Sequence, residues 1–344
     1  SGSRLRNDAG IFIRTPGQLD LRGTFRVYVR KFSMSLRVRT RMREPLYNRA
    51  IGHSPAFFRK RAVGTLAKIN GFEIFHEVTG KGIPIVWCHE AGGDYRSWDP
   101  QVRFFSRYFR NITWNFRGFP PSSVPDDPAA YSEEQMVVDM RELMRQLDIG
   151  RAHIVGLASG AAIALRFVLT HPEMCLSMAV GACGVGSMNP EKRQQQIQDS
   201  VDMLSSGSME KLVEFQTRRP ARQQLLRKDP KGWQLFHDQF LEQSPLGWTM
   251  TAKYVAGTRP TVFSLKEKLN RLAVPALIMV GDEDEACLEP SLFLKREIPG
   301  AGLMTFPQSG HTLNLEEPAD FNHAVLKFYQ AVAAGTWATR GART

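Results

Sequence analysis

The 344-residue chain has only four cysteines, Cys88, Cys175, Cys183 and Cys287, and no Cys-x-x-Cys spacing among them. That scarcity excludes a disulfide framework and gives no zinc ligand pattern. Cys88, Cys175 and Cys183 lie in or near apolar runs and read as buried thiols. A reducing compartment is the simpler home, and a cytoplasmic location is expected. Long apolar runs are also missing. None approaches the roughly 18 residues of a membrane helix, so no membrane span is expected. Acid is scarce at one end. Residues 1–62 hold Asp8, Asp20 and Glu44 against 15 Lys and Arg, a net of +12. The remaining 282 residues carry 30 basic and 31 acidic groups, so the chain's formal +11 belongs to its beginning. What is present is globular in kind, with 42% hydrophobic and 23% charged residues.

Residues 1–62 lack sustained periodicity and read as a basic, disordered extension, with Met34 or Met42 as candidate starts. An Arg-rich, acid-poor mitochondrial presequence is the second reading and would move the location to the mitochondrion. A tether to nucleic acid or an anionic membrane is the third. The segment lacks the interleaved aromatics that single-strand binders use, so no nucleic-acid partner is expected.

From residue 64 onward strands and helices alternate. "TLAKINGFEIFHEVTG" predicts a hairpin turning at Asn70-Gly71. Strands are expected at 83–90, 111–116, 153–157, 175–184, 274–281 and 302–308. Between them "DYRSWDPQVRFFSRYF", 132–149, 160–170 and 318–334 have helical spacing. The second of these opens on a Ser-x-x-Gln capping signature. This rhythm predicts an α/β fold with a mostly parallel sheet, helices on both faces and the hairpin at one edge. Residues 187–270 break it with polar helical pattern dotted with Trp233, Phe236, Phe240, Trp248 and Tyr254. They read as an inserted helical lid, with a plain helical extension as the alternative. The expected division is a core of 63–186 and 271–335, a lid of 187–270 and a tail of 336–344.

In an open parallel sheet, ligands bind beyond the carboxyl ends of the strands. Those ends carry His89-Glu90-Ala91-Gly92-Gly93, then Arg117-Gly118, then Gly156-Leu157-Ala158-Ser159-Gly160, then Gly281-Asp282-Glu283-Asp284-Glu285, then Ser309-Gly310-His311. A tight turn, an acid and a histidine follow one another in chain order. With "SWDPQVRFFSRYFR", "DPAAYSEEQMVVDM", "RAHIVGL", "LRFVLTHPE" and "SGHTLNLEEP", the stretch from about 66 to 333 resembles the α/β-hydrolase superfamily, in its small-molecule esterase and carbon–carbon hydrolase branch. The resemblance implies that Asp284 is the triad acid and His311 the triad histidine. It puts Ala158 at the nucleophile position and the backbone N–H groups of Ser159 and Ala91 in the oxyanion hole. Glu90 stands where the family usually has Gly, and Asn115-Phe116 where it often has Asp before Arg-Gly. His89, Glu90, Phe119, Trp233 and Trp248 are candidate pocket residues. His89 reads better as structural than catalytic, Arg117 as a loop holder and Cys183 as buried filler.

The chemistry of such a site is acyl transfer. His311 takes a proton, Asp284 fixes its tautomer, and two N–H groups hold the oxyanion. No cofactor or metal is implied. A methyl group at Ala158 has neither lone pair nor proton, so the covalent route cannot run through it. Three explanations stay open: a serine enzyme whose nucleophile has been replaced, a natural member using His311–Asp284 as a general base in lyase or cofactor-free oxygenase chemistry, and a pseudoenzyme that binds without turnover. Ser159 as a shifted nucleophile is disfavoured, since one residue along a helix turns a side chain by about 100°. The aromatic lid points to an uncharged or weakly polar carbonyl compound as ligand. Ester, lactone, epoxide, haloalkane and dienone-type ketone substrates all fit. Epoxides and haloalkanes fit less well, because they need a carboxylate at the turn.

Overall fold

In the computed structural model, the structure describes residues 64–184, 189–206 and 208–339. The reading of residues 1–62 as a basic extension lies outside them. So do residues 340–344 of the expected tail.

Eight strands form one sheet: β1 (Thr65–Ile69), β2 (Phe72–Thr79), β3 (Ile83–Cys88), β4 (Phe109–Trp114), β5 (Ala152–Leu157), β6 (Cys175–Gly181), β7 (Ala276–Gly281) and β8 (Ala301–Phe306). The order across the sheet is β1-β2-β4-β3-β5-β6-β7-β8. The β1–β2 and β2–β4 pairs are antiparallel, and every other pair is parallel. The expected hairpin therefore sits at one edge. Asn70 and Gly71 turn it with φ of 50° and 87°, the left-handed pair that matches strand twist in a two-residue loop. Val86 on β3 faces Ile112 on β4 and Ile154 on β5, which fixes the register at the centre.

The helices are α1 (Asp99–Phe105), α2 (Glu133–Gln146), α3 (Ser159–Thr170), α4 (Pro190–Ser206), α5 (Met209–Thr217), α6 (Gln223–Lys228), α7 (Pro230–Leu241), α8 (Pro245–Thr251), α9 (Lys266–Asn270), α10 (Glu285–Glu297), α11 (Leu313–Glu316) and α12 (Pro318–Ala333). Alternation along β3 shows why both faces need covering. Val86 and Cys88 pack with residues of α2 and α3, whereas Ile85 and Trp87 pack with Trp98, Phe105 and residues of α12. Ser132 caps α2 by accepting from the Gln135 N–H at 3.0 Å, as the capping signature predicts.

Helices α4 to α9 fall between β6 and β7 and interrupt the alternation, as the pattern of 187–270 predicts. They carry an apolar cluster of their own, built on Met209, Leu212, Val213, Leu225, Phe236 and Phe240. After α12 the chain is not loose. Trp337 stacks edge-on against Phe328 and donates its indole N–H to the Gly300 carbonyl at 2.8 Å.

Expected and observed strand ends differ by a few residues. The 83–90 reading ends at Cys88 and the 111–116 reading at Trp114. In both cases burial continues past the strand end, at His89 and Glu90 and at Asn115 and Phe116.

Candidate active site

The turn between β5 and α3 holds its apex in a strained shape. Ala158 has φ 50° and ψ −110°, a region that costs an L-residue about 1–3 kcal/mol. Two hydrogen bonds over-determine it: Ala158 N–H donates to Gly181 at 2.9 Å, and the Ala158 carbonyl accepts from Ala162 at 3.2 Å. The glycines around it are required by space. A Cβ on Gly160 would lie 2.0 Å from the Cys88 carbonyl oxygen, and one on Gly156 would lie 2.2 Å from the Gly160 oxygen. Helix α3 thus starts against the ends of β3 and β5, with the Ala158 methyl facing a cavity.

Among the four acids after β7, burial singles out one. Asp282, Glu283 and Glu285 are exposed, whereas Asp284 is 2% exposed. Asp284 Oδ2 accepts from His311 Nδ1 at 2.8 Å. Burial by itself would raise the Asp284 pKa, but the neighbouring His311 charge and hydrogen bond outweigh it and hold the carboxyl below its ordinary value. The two loops meet because Gly281 lets them. A Cβ there would be 2.2 Å from the Ser309 carbonyl. His311 is fixed from the insertion side, its N–H donating to the Ala221 carbonyl at 2.7 Å.

Ala158 and His311 line one cavity of about 290 Å³, at the carboxyl ends of the strands and under the helical insertion. Ala91 and Ser159 line it too, and among the described residues their backbone N–H groups take no protein acceptor. For Ser159 this follows from its place at the first position of α3, where a helix leaves its N–H groups unspent.

The other candidate residues divide. Glu90, Phe119 and Trp248 lie on the cavity wall. His89 does not. It is buried beneath the wall, with Nδ1 donating to the Glu90 carbonyl at 2.7 Å and Nε2 accepting from Phe116 N–H at 3.2 Å. Burial pushes its pKa down to about 4, so it is a neutral structural imidazole. Trp233 is also off the wall. It packs against the insertion's apolar cluster and stacks on His237, because its helical spacing serves that core. Arg117 holds its loop, as expected, through a buried bidentate pair with Asp139 at 2.6 and 2.8 Å.

Among the wall residues that sequence reasoning missed are Arg193, Arg219, Arg222 and Cys287. Arg222 forms a buried ion pair with Glu90, whose side chain is 1% exposed. Glu90 therefore ties the end of β3 to the insertion in place of the family's usual glycine. Cys287 lies one helical turn after Asp284, a spacing that could have flagged it. Its Sγ is 3.9 Å from His311 Nδ1. Asp284, Cys287 and His311 offer three ligand atoms within 4.8 Å of one another. Burial, and then the Asp284 charge, push the Cys287 thiol well up, and His311 Nδ1 is spent on Asp284. The three act as a hydrogen-bonded set, and as ligands the Cys287 thiol and the His311 Nδ1–H would both have to lose a proton.

No helix among the described residues is long and apolar enough to cross a membrane. Residues 85–324 match the family model described as the alpha/beta hydrolase family. A putative non-heme bromoperoxidase, BpoC, of Mycobacterium tuberculosis is 27% identical over 272 residues, which cover 75% of this chain and 98% of that protein. A putative carbamate hydrolase, RutD, of Serratia proteamaculans is 25% identical over 270 residues, 74% of this chain and 94% of that protein. The enol-lactonase of Burkholderia xenovorans LB400 superposes with a TM-score of 0.70 at 23% identity, covering 77% of this chain and all of that structure at 100%.

Proposed function

The chain belongs to the alpha/beta hydrolase family, and from that premise we propose that its cavity takes a small carbonyl compound in a site of Ser-Asp-His type whose nucleophile position is Ala158. His311 is the acid–base group, Asp284 orients it, and the Ala91 and Ser159 N–H groups receive the oxyanion. The helices between β6 and β7 serve as the lid. The observation that carries this reading is the 2.8 Å hydrogen bond between His311 Nδ1 and Asp284 Oδ2 in the same cavity wall as Ala158.

With a methyl group at the apex, the acyl-enzyme route is closed and ester hydrolysis is absent or strongly impaired. The remaining parts still constitute a general base facing an oxyanion site. That intact set favours a second reading. His311 would draw a proton from a substrate C–H or O–H, or from water, while the N–H pair stabilises an enolate-like charge.

One substitution tests the first reading. Ala158→Ser keeps the Cβ and the backbone and adds the oxygen. It is expected to confer hydrolysis of aryl esters and labelling by an organophosphonate. His311→Ala on that background then loses about 10²–10⁴-fold in rate, the usual worth of a general base. Ser159→Ala changes little, because only its backbone is used. A folded Ala158→Ser protein without hydrolysis or labelling refutes the proposal. If His311→Ala in the unsubstituted chain abolishes some other turnover, the second reading replaces it.

A further inference from the structure

The aromatic residues of 187–270 pointed to an uncharged ligand, yet the cavity, apolar over most of its wall, also carries three arginines. Phe236 and Phe240 turn into the insertion's own cluster. Arg193, Arg219 and Arg222 face the cavity instead. Arg222 is neutralised by Glu90. Among the described residues, neither Arg193 nor Arg219 has a carboxylate within ion-pair distance. Arg219 Nη1 makes only a long bond, 3.4 Å, to Gln216 Oε1, and Arg193 Nη1 donates to the Arg259 carbonyl at 2.8 Å. Burial and the neighbouring Arg222 charge lower the Arg219 pKa, a sign that its charge is incompletely compensated.

Three residues of this wall each carry a buried polar atom without a partner: Arg193 Nε, Trp248 Nε1 and Thr251 Oγ1. Thr251 is only 7% exposed. Buried polar groups without partners are costly, so a cluster of them beside a cavity is organised for a ligand that supplies the missing partners. All three, and both uncompensated arginines, come from the insertion. The dyad and the N–H pair come from the strand ends. The two sets lie on the same cavity. A guanidinium with free N–H groups matches a planar carboxylate in two parallel bonds.

Resting on the reading of this cavity as the substrate site, we propose that the ligand carries a carboxylate, held by Arg219 with Arg193, Trp248 and Thr251, while its carbonyl group faces His311. The insertion therefore selects an acidic carbonyl compound over its neutral counterpart.

The test is binding by calorimetry to the full, unsubstituted chain. The probes are monomethyl glutarate, which pairs one ester with one carboxylate, and dimethyl glutarate, which has no charge. The monoester is expected to bind at least tenfold more tightly, and Arg219→Gln is expected to lower that preference at least tenfold. Arg219→Lys should retain part of it, because the charge stays and the fork is lost. Methyl 4-phosphonobutyrate separates the sources of negative charge, and the carboxylate should bind more tightly. Equal or tighter binding of the diester, a preference unmoved by Arg219→Gln, or tighter binding of the phosphonate each overturns the assignment. Because binding is read with Ala158 in place, failure of Ala158→Ser to hydrolyse esters would count against the carbonyl chemistry alone.

Discussion

Removing the cation from the Glu90–Arg222 pair should destabilise the chain strongly. Glu90 sits between the end of β3 and Ala91, and its side chain is 1% exposed, against 12% for Arg222. Arg222→Met leaves a buried carboxylate with no cation, and breaking such a pair costs about 3–5 kcal/mol. At 2–4 °C per kcal/mol for a domain of this size, Tm falls by roughly 10 °C. Glu90→Met should cost less, because the stranded guanidinium is closer to solvent. Replacing both by Met strands no charge, and stability should return to within about 2 kcal/mol of the parent. The pair then shows a coupling of at least about 2 kcal/mol in a double-mutant cycle. Urea unfolding followed by tryptophan fluorescence measures all four proteins. A loss below about 1 kcal/mol in Arg222→Met, or additive single losses, would refute the claim that this pair fastens the insertion to the strand ends.

Two buried histidines make stability depend on pH. Burial holds both His89 and His153 down to about 4, below the 6.5 of a free imidazole. Between those values the unfolded chain binds the protons that the folded chain refuses. Their stabilisation is therefore complete above pH 6.5 and is lost as pH falls toward 4, by about 3 kcal/mol for each histidine at 1.36 kcal/mol per pKa unit. Asp284, held low, adds a loss that sets in below the ordinary carboxylate range. Urea midpoints at pH 7.5 and 4.5 check this, and a flat profile contradicts it. Gly160→Ala places a Cβ 2.0 Å from the Cys88 carbonyl and 2.5 Å from the His89 carbonyl. Neither backbone oxygen can turn away, so a loss of about 3 kcal/mol or more is expected. Gly150→Ala, where a Cβ meets nothing within 4 Å, is the control and should lose far less in the same urea assay.

The strand-and-helix rhythm was legible from residue 64 because each element repeats its own period. Alternation on β2 and near-continuous apolar runs on β3, β5, β6 and β7 reflect burial on one face or on two. The site was legible because an open parallel sheet aims its strand ends at one place. Chain order alone put a turn, an acid and His311 together. The choice of Asp284 among Asp282, Glu283, Asp284 and Glu285 came from the family resemblance and not from residue type. Four adjacent carboxylates look alike in a sequence, and only the close approach of the Gly281 and Ser309 backbones buries one of them.

The sequence by itself determined the sheet, the helices on its faces, the tight turn at 156–160 and the alanine at that turn's apex. These depend on local residue type and spacing. The tertiary structure decided what faces the cavity. His89 and Trp233 turned out to be packed away, while Arg193, Arg219, Arg222 and Cys287 came to the wall from distant positions. The periodicity of the insertion's helices does not say which side meets the strand ends. That side is set by contacts between residues distant in the chain. Glu90 with Arg222 is one such contact, its partners 132 positions apart.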